Sequence, residues 1–81
     1  MAKNKEEMLL SLNELSENNE ALIKDIKLDG LMRERLLSLG FTRNAIVKKI
    51  KNGSRNSIAI YLIRDIMVAL RKEEANCILV S

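Results

Sequence analysis

The chain has 81 residues, of which 47% are hydrophobic, 31% charged and 2% aromatic, and its formal net charge is +3. This length allows one small domain, and the composition is too apolar for a disordered tail and too interrupted by charge for a membrane span. With no histidine and a single cysteine, Cys77, the chain excludes zinc sites built on Cys and His, His-based triads and an internal disulfide.

The beginning of the chain is polar, and we predict a flexible leader over residues 1–10 and one domain over residues 11–81. No basic segment followed by an apolar core opens the chain, so we expect no secretion signal. The single cysteine and its surroundings are typical of a cytoplasmic protein. Apolar residues near helical spacing predict a helical turn at Leu9–Leu15, and Ser11 with Glu14 matches a capping box.

The first predicted strand covers Ala21–Leu28. Its apolar residues do not keep to one side of a strand, so we expect a β-bulge near Lys24-Asp25 that brings them back into phase.

A helix is predicted over Leu31–Leu39, because Met32, Leu36 and Leu39 recur at helical spacing. Gly40 follows directly, where a helix ending in a left-handed residue favours glycine, and Phe41 is then placed to fold back onto Leu36.

Beyond the helix the apolar residues alternate, which is typical of strands, and Asn52-Gly53 and Arg64-Asp65 read as turns, the first connection running to Asn56. Tyr61 lies on the face opposite Ile60 and Leu62, so we expect it to be partly exposed. Further strands are predicted at residues 45–51, 57–63, 66–71 and 77–80, with a charged helical turn at 71–76. Five short strands with one short helix between the first and second predict a mainly β fold, a small closed barrel.

Charge is unevenly distributed, since no acidic residue lies between Glu34 and Asp65. This interval fits either a patch for phosphate or an acidic protein surface, or solvent-facing strand residues that discourage aggregation. The near absence of aromatic stacking residues favours the second interpretation and argues against nucleic-acid binding. Its basic residues are Arg35, Arg43, Lys48, Lys49, Lys51, Arg55 and Arg64.

The candidates for reactive chemistry are few. Cys77 is flanked by apolar residues and reads as a small core residue, as do Met8, Met32 and Met67. Asp65, Glu73 and Glu74 offer oxygen ligands, but adjacent residues do not easily face one ion. We therefore predict no metal site and no cofactor, and no nucleophile–base pair supports an enzyme.

The helix and the loop after it offer a candidate protein-docking face, made of Arg33, Arg35, Phe41 and Arg43. Arginine and aromatic side chains often dominate the binding energy of interfaces. The alternative is that Phe41 is buried in the core and that the arginines are simply solvated.

Two segments carry a family resemblance. Residues 30–42 (GLMRERLLSLGFT) resemble the signature of the FeoA family, a glycine and an Arg-containing helix ending in L-G-F/L-T. Residues 69–80 resemble the family's closing A-L-R-x-x-E-A-x-x-I-x-V, and Leu12–Leu15 its opening L-x-x-L. Arg43-Asn44 departs from the Pro-Gly of many relatives, although Asn44 can adopt the left-handed backbone that this turn needs.

The resemblance implies an SH3-like β-barrel and a small cytoplasmic accessory protein of bacterial ferrous iron uptake. Its partner would be the cytoplasmic part of a FeoB-type transporter, and the chain itself would not insert into the membrane. The alternative is a small basic barrel that binds nucleic acid or another protein, as in the C-terminal domain of DtxR-like repressors. Edge strands also allow weak self-association.

Overall fold

The structure, a computed structural model, describes residues 8–53 and 58–81. Within these two ranges, six strands form one antiparallel sheet. In chain order the elements are β1 (Leu10–Ser11), a 3₁₀ turn (Leu12–Glu14), β2 (Glu20–Ile26), α1 (Gly30–Leu39), β3 (Ile46–Lys51), β4 (Ile58–Ile63), β5 (Ile66–Arg71), α2 (Lys72–Ala75) and β6 (Ile78–Val80). The order of the strands in the sheet is β1-β6-β2-β3-β4-β5. The predicted mainly β fold class is confirmed, and β1 is a short strand beyond the five predicted. The sheet is not closed into a ring as we expected, because among the described residues β1 and β5 stand at its two ends and are not paired with each other. Within residues 8–53 and 58–81, no helix is long and apolar enough to cross a membrane.

Two predictions concern residues outside the described ranges. Most of the predicted leader lies in residues 1–7, so its boundary stays a prediction. The predicted connection after Asn52-Gly53 likewise lies mainly in residues 54–57.

The N-terminal helical turn is shorter than the sequence predicts. The capping box is present, since the backbone N–H of Ser11 donates to Oε1 of Glu14 at 3.0 Å. Leu10 and Ser11, however, pair with β6 and form β1. Because sheet pairing occupies these two residues, the helical part shrinks to the 3₁₀ turn at Leu12–Glu14.

The predicted bulge in β2 is confirmed. The pairing of β2 with β6 shifts register between Ile23 and Asp25. The extra residue lets both Ile23 and Ile26 face the core, where each is buried. It also turns Lys24 and Asp25 toward the end of α1, where they line a cleft.

The core is formed by inward-facing residues of all the longer strands together with Leu36 of α1. The expectation that methionines fill it is wrong, because Met8, Met32 and Met67 are exposed by 84%, 37% and 59%. The buried hydrophobic residues are Leu12, Leu15, Ile23, Ile26, Leu36, Phe41, Val47, Ala59, Tyr61, Ile63, Val68, Leu70, Ala75, Ile78 and Val80.

Tyr61 is fully buried, so the prediction of partial exposure is wrong. It stands opposite Lys49 on β3 and Val68 on β5, and these three residues share the inner face. Because both faces of β4 are apolar, alternation alone could not decide which face turns inward. The large tyrosine ring fills the interior, and Ile60 and Leu62 face outward and are half-buried.

Lys49 is buried, at 2% exposed, so the interpretation of the basic interval as solvent-facing is wrong for this residue. Its Nζ donates to the backbone oxygen of Asn13 at 2.9 Å and to Oδ1 of Asn52 at 2.8 Å. It also lies 5.7 Å from the centre of the Tyr61 ring. Loss of solvation lowers the pKa of Lys49, and the nearby charge of Glu17 opposes that shift.

Candidate functional site

The end of α1 has the geometry that its sequence predicts. Gly40 adopts a left-handed conformation with φ at 112°. Its N–H donates to the oxygen of Leu37, and the N–H of Phe41 donates to that of Leu36, each at 3.0 Å. These two bonds are those of a Schellman motif. They turn the chain so that Phe41 is fully buried beneath the helix end.

Arg64 covers this helix end from the turn between β4 and β5. Its Nη2 donates to Oγ1 of Thr42 at 3.0 Å, and its Nε lies 3.5 Å from the oxygen of Gly40. A Cβ on Gly40 would lie 2.8 Å from Cδ of Arg64. The helix end therefore depends on a glycine for its backbone conformation and for the approach of Arg64.

We expect Gly40→Ala to lower the free energy of unfolding by about 1–3 kcal/mol, because a left-handed backbone strains a residue that carries a Cβ. Urea unfolding of the two proteins measures the difference. Gly30→Ala is the matched control: its φ is also positive, at 67°, but nothing lies within 4 Å of the added Cβ. If Gly40→Ala lowers the free energy of unfolding no more than Gly30→Ala does, the close approach of Arg64 adds nothing to the need for glycine at position 40.

A cleft of about 80 Å³ lies between β2, one side of α1 and the loop after the helix. We call it the helix-exit cleft. Three of the four predicted docking residues line it, namely Arg33, Phe41 and Arg43. The remaining lining residues are Ile23, Lys24, Asp25, Ile26 and Leu37.

Arg33 is held in place at the rim of the helix-exit cleft. Its Nη1 donates to the backbone oxygen of Ile26 at 2.8 Å. This bond joins α1 to the end of β2 and restricts the long side chain before any ligand arrives. A guanidinium has five N–H donors, so one bond to a carbonyl leaves others for an acidic partner.

Asp25 is the one acidic residue of the helix-exit cleft. Its Oδ1 accepts the N–H of Ile26 at 2.8 Å, and its Oδ2 lies 3.2 Å from Nζ of Lys27. The hydrogen bond from Lys27 and then that from the backbone of Ile26 lower the pKa of Asp25. Lys27 thus compensates the negative charge, and the cleft as a whole is cationic.

The other predicted residues divide between two roles. Phe41 is buried, so it forms the floor of the helix-exit cleft and is part of the core rather than an exposed contact. Arg43 is exposed at the rim. Arg35 does not line the cleft, because its Nη1 lies 3.6 Å from Oε2 of Glu74 and thereby links α1 to α2.

The sequence did not identify Lys24 as a candidate site residue. Its Nζ donates to Oδ1 of Asn44 at 3.4 Å. Asn44 has a φ of 70° and donates its N–H to the oxygen of Ile23. The bulge expected at Lys24-Asp25 was the available signal, since bulges redirect side chains at the margins of sites.

The chemistry available here is binding by charge and shape. Within the described ranges, no group of three or more Cys, Asp or Glu side chains could hold a metal ion. The carboxylate of Glu74 already has partners within the protein. Its Oε1 accepts the N–H of Arg71, and its Oε2 forms an ion pair with Arg35 of α1. Cys77 is a half-buried free thiol.

Comparison with known proteins places this fold and this helix end in a family. The sequence matches the FeoA domain family over residues 10–81. It is 33% identical over 72 residues to a Campylobacter jejuni protein with the provisional name Fe(2+) transport protein A. The alignment covers 89% of this chain and 97% of that protein. The chain belongs to the FeoA family.

Solved structures of similar shape agree with this assignment. FeoA of Stenotrophomonas maltophilia, determined with zinc and described as a prokaryotic SH3-domain protein, has a TM-score of 0.78 at 22% identity, over 89% of each chain. A manganese-dependent transcriptional repressor has a TM-score of 0.81 at 16% identity, over 89% of this chain and 40% of the repressor. The predicted SH3-like barrel is confirmed, and so is the shared fold with a metal-dependent repressor. The FeoA family takes part in ferrous iron transport.

Proposed function

We propose that this FeoA-family protein is a cytoplasmic, non-enzymatic accessory protein that binds the cytoplasmic part of a FeoB-type ferrous iron transporter. We further propose that the helix-exit cleft makes the contact. The observation that carries the proposal is the cationic rim of the cleft, with Arg33 already fixed to the Ile26 oxygen. A prearranged arginine binds with less loss of side-chain entropy than a freely moving one.

The chemistry of the cleft selects an acidic partner segment. Lys24, Arg33 and Arg43 line it, and the charge of Asp25 is compensated by Lys27. The apolar floor of Leu37 and Phe41 accepts only a small group, because the volume is about 80 Å³. An aspartate or glutamate of the transporter, with a short apolar neighbour, fits these features.

The alternative of nucleic-acid binding loses support from the placement of the basic residues. Lys49 is buried and bonded inside the protein, and Arg64 is held on Gly40 and Thr42. The likeness to a transcriptional repressor is one of fold alone at 16% identity.

Titration of the full chain with the isolated cytoplasmic domain of a FeoB-type transporter tests the proposal. We expect Arg43→Glu to weaken binding at least about tenfold, which corresponds to about 1.4 kcal/mol. Lys51→Glu is the matched control, because it makes the same charge change at an exposed position of β3 away from the helix-exit cleft. We expect this control to change binding by less than about twofold.

The two parts of the proposal fail in different ways. If the wild-type chain does not bind a folded transporter domain even at high micromolar concentration, the partner is wrong. If Arg43→Glu and Lys51→Glu weaken binding equally, the partner is right and the helix-exit cleft is not the contact.

A further inference from the structure

β5 (Ile66–Arg71) ends the six-stranded sheet of residues 8–53 and 58–81, and within these ranges it has a strand neighbour on one side only. Its pairing with β4 is continuous from Ile63↔Ile66 to Ile58↔Arg71. The edge strand of an open sheet carries unpaired N–H and C=O groups that can accept another strand. None of its residues lines the helix-exit cleft.

The turn before β5 determines which of its backbone groups point outward. Arg64 and Asp65 have φ values of 49° and 67°, as in a two-residue hairpin turn that closes on a hydrogen-bonded pair. That pair is Ile63 and Ile66, and bonding alternates along an antiparallel ladder. Ile66, Val68 and Leu70 therefore bond to β4, whereas Met67, Ala69 and Arg71 direct their backbone groups away from it.

One of these outward groups already has a partner. The N–H of Arg71 donates to Oε1 of Glu74 at 3.0 Å, as its outward direction requires. In the described part of the chain, Met67 and Ala69 take part in no backbone hydrogen bond outside the sheet pairing. With respect to the described residues, their N–H and C=O groups thus form a short unsatisfied edge.

β5 also lacks three of the features by which proteins often protect an edge strand. Residues 66–70 contain no charge and no proline, and their pairing with β4 has no bulge. Met67 is 59% exposed, and Ala69 is exposed beside it on the same face. A strand of this kind is suited to pairing rather than to remaining in water.

We propose that β5 pairs antiparallel with β5 of a second copy of this chain, about a two-fold axis at Val68. Met67 then stands opposite Ala69 of the partner subunit, and Ala69 opposite the partner subunit's Met67. Each of these pairs exchanges two backbone hydrogen bonds, so all the unsatisfied groups of the edge are used.

Charge complementarity selects the second copy, and the alternation of side chains and the bond already made by Arg71 select this register. Asp65 lies in the turn directly before β5 and Arg71 is the last residue of β5. The pairing brings Asp65 beside the oppositely charged Arg71 of the partner subunit. If the pairing of the two β5 strands shifted by one residue, the core-facing side chains of one subunit would lie on the solvent-facing side of the partner subunit's sheet. A shift of two toward Arg71 would need its N–H, which Glu74 already binds.

Sedimentation equilibrium of the full chain, from micromolar to millimolar concentration, tests the proposal together with amide hydrogen exchange. We expect a reversible dimer. We also expect the amides of Met67 and Ala69 to become protected as the concentration rises, while that of Val68 is protected throughout by its bond to β4.

Ala69→Pro removes an N–H that points away from β4, so the fold is expected to persist, with Val68 still protected. The dimer dissociation constant should rise at least about tenfold, because two hydrogen bonds per dimer are lost. Ala69→Ser keeps the N–H and is the matched control, which should dimerise like the wild type.

Several outcomes would overturn the proposal. The first is a protein that stays monomeric at all concentrations. The second is a monomer whose Met67 and Ala69 amides are protected at every concentration, because another part of the same chain covers them. The third is an Ala69→Pro dimer with the same dissociation constant as the wild type. If Ala69→Pro does not fold, the concentration dependence of the Met67 and Ala69 amides in the wild type decides alone.

Discussion

Replacing Phe41 by alanine is expected to lower the free energy of unfolding by about 3–5 kcal/mol, the usual loss for a fully buried aromatic side chain. Phe41 is 0% exposed and packs at the end of α1, where its N–H bonds to Leu36. The core of a domain this small supplies only about 3–5 kcal/mol in total. Most of the Phe41→Ala protein should therefore be unfolded without denaturant, as circular dichroism and urea titration would show.

Two control variants separate the fold from the docking role. Phe41→Leu keeps most of the buried volume and is expected to cost about 1 kcal/mol. Arg43→Ala removes an exposed side chain and should change stability by less than about 0.5 kcal/mol. A Phe41→Ala protein that unfolds cooperatively within about 1 kcal/mol of the wild type would contradict the core role of Phe41.

The second prediction concerns alkaline pH. Burial raises the pKa of Tyr61 to about 12, from an ordinary value near 10 in the unfolded chain. Between these pH values the unfolded chain releases the phenolic proton and the folded chain keeps it. The folded state then binds more protons, so the free energy of unfolding falls as the pH rises, whereas below pH 10 this contribution is constant.

Tyr61→Phe is the reference protein for this measurement. Compared with Tyr61→Phe, the free energy of unfolding of the wild type should fall by about 1 kcal/mol between neutral pH and pH 11, and by about 2 kcal/mol between neutral pH and pH 12. At neutral pH we expect Tyr61→Phe to be as stable as the wild type or slightly more stable. The reason is that the buried Tyr61 hydroxyl has no hydrogen-bond partner among the described residues.

Lys49 changes stability in the opposite direction. Its pKa is lowered by burial, so in alkaline solution the folded chain binds fewer protons at this site, and stability rises as Lys49 loses its charge. Both proteins contain Lys49, so its contribution largely cancels in the difference.

Because the chain has one tyrosine, tyrosinate absorbance reports on Tyr61 alone. An ordinary titration near pH 10 in the folded protein would contradict the prediction.

Local sequence patterns were sufficient to predict those features of the fold that residues close together in the chain determine. The Ser11–Glu14 capping box, the bulge at Lys24-Asp25 and the Gly40 helix end all follow from residues at most five positions apart. The helix and its end likewise locate Arg33 and Phe41 along the chain, whereas their role in docking stays a proposal.

Only the tertiary structure decided the features that depend on contacts between distant segments. The sequence did not show which face of β4 turns toward the core, because both of its faces are apolar. In the structure Tyr61 pairs with Lys49 and Val68 and lies on the inner face. Lys49 looked like a surface charge because one of its acceptors, Asn13, lies in the distant 3₁₀ turn and only the fold brings that turn to β3. Chain neighbours thus determine where helices and turns begin and end, whereas burial and the composition of a cleft depend on which strands the fold brings together.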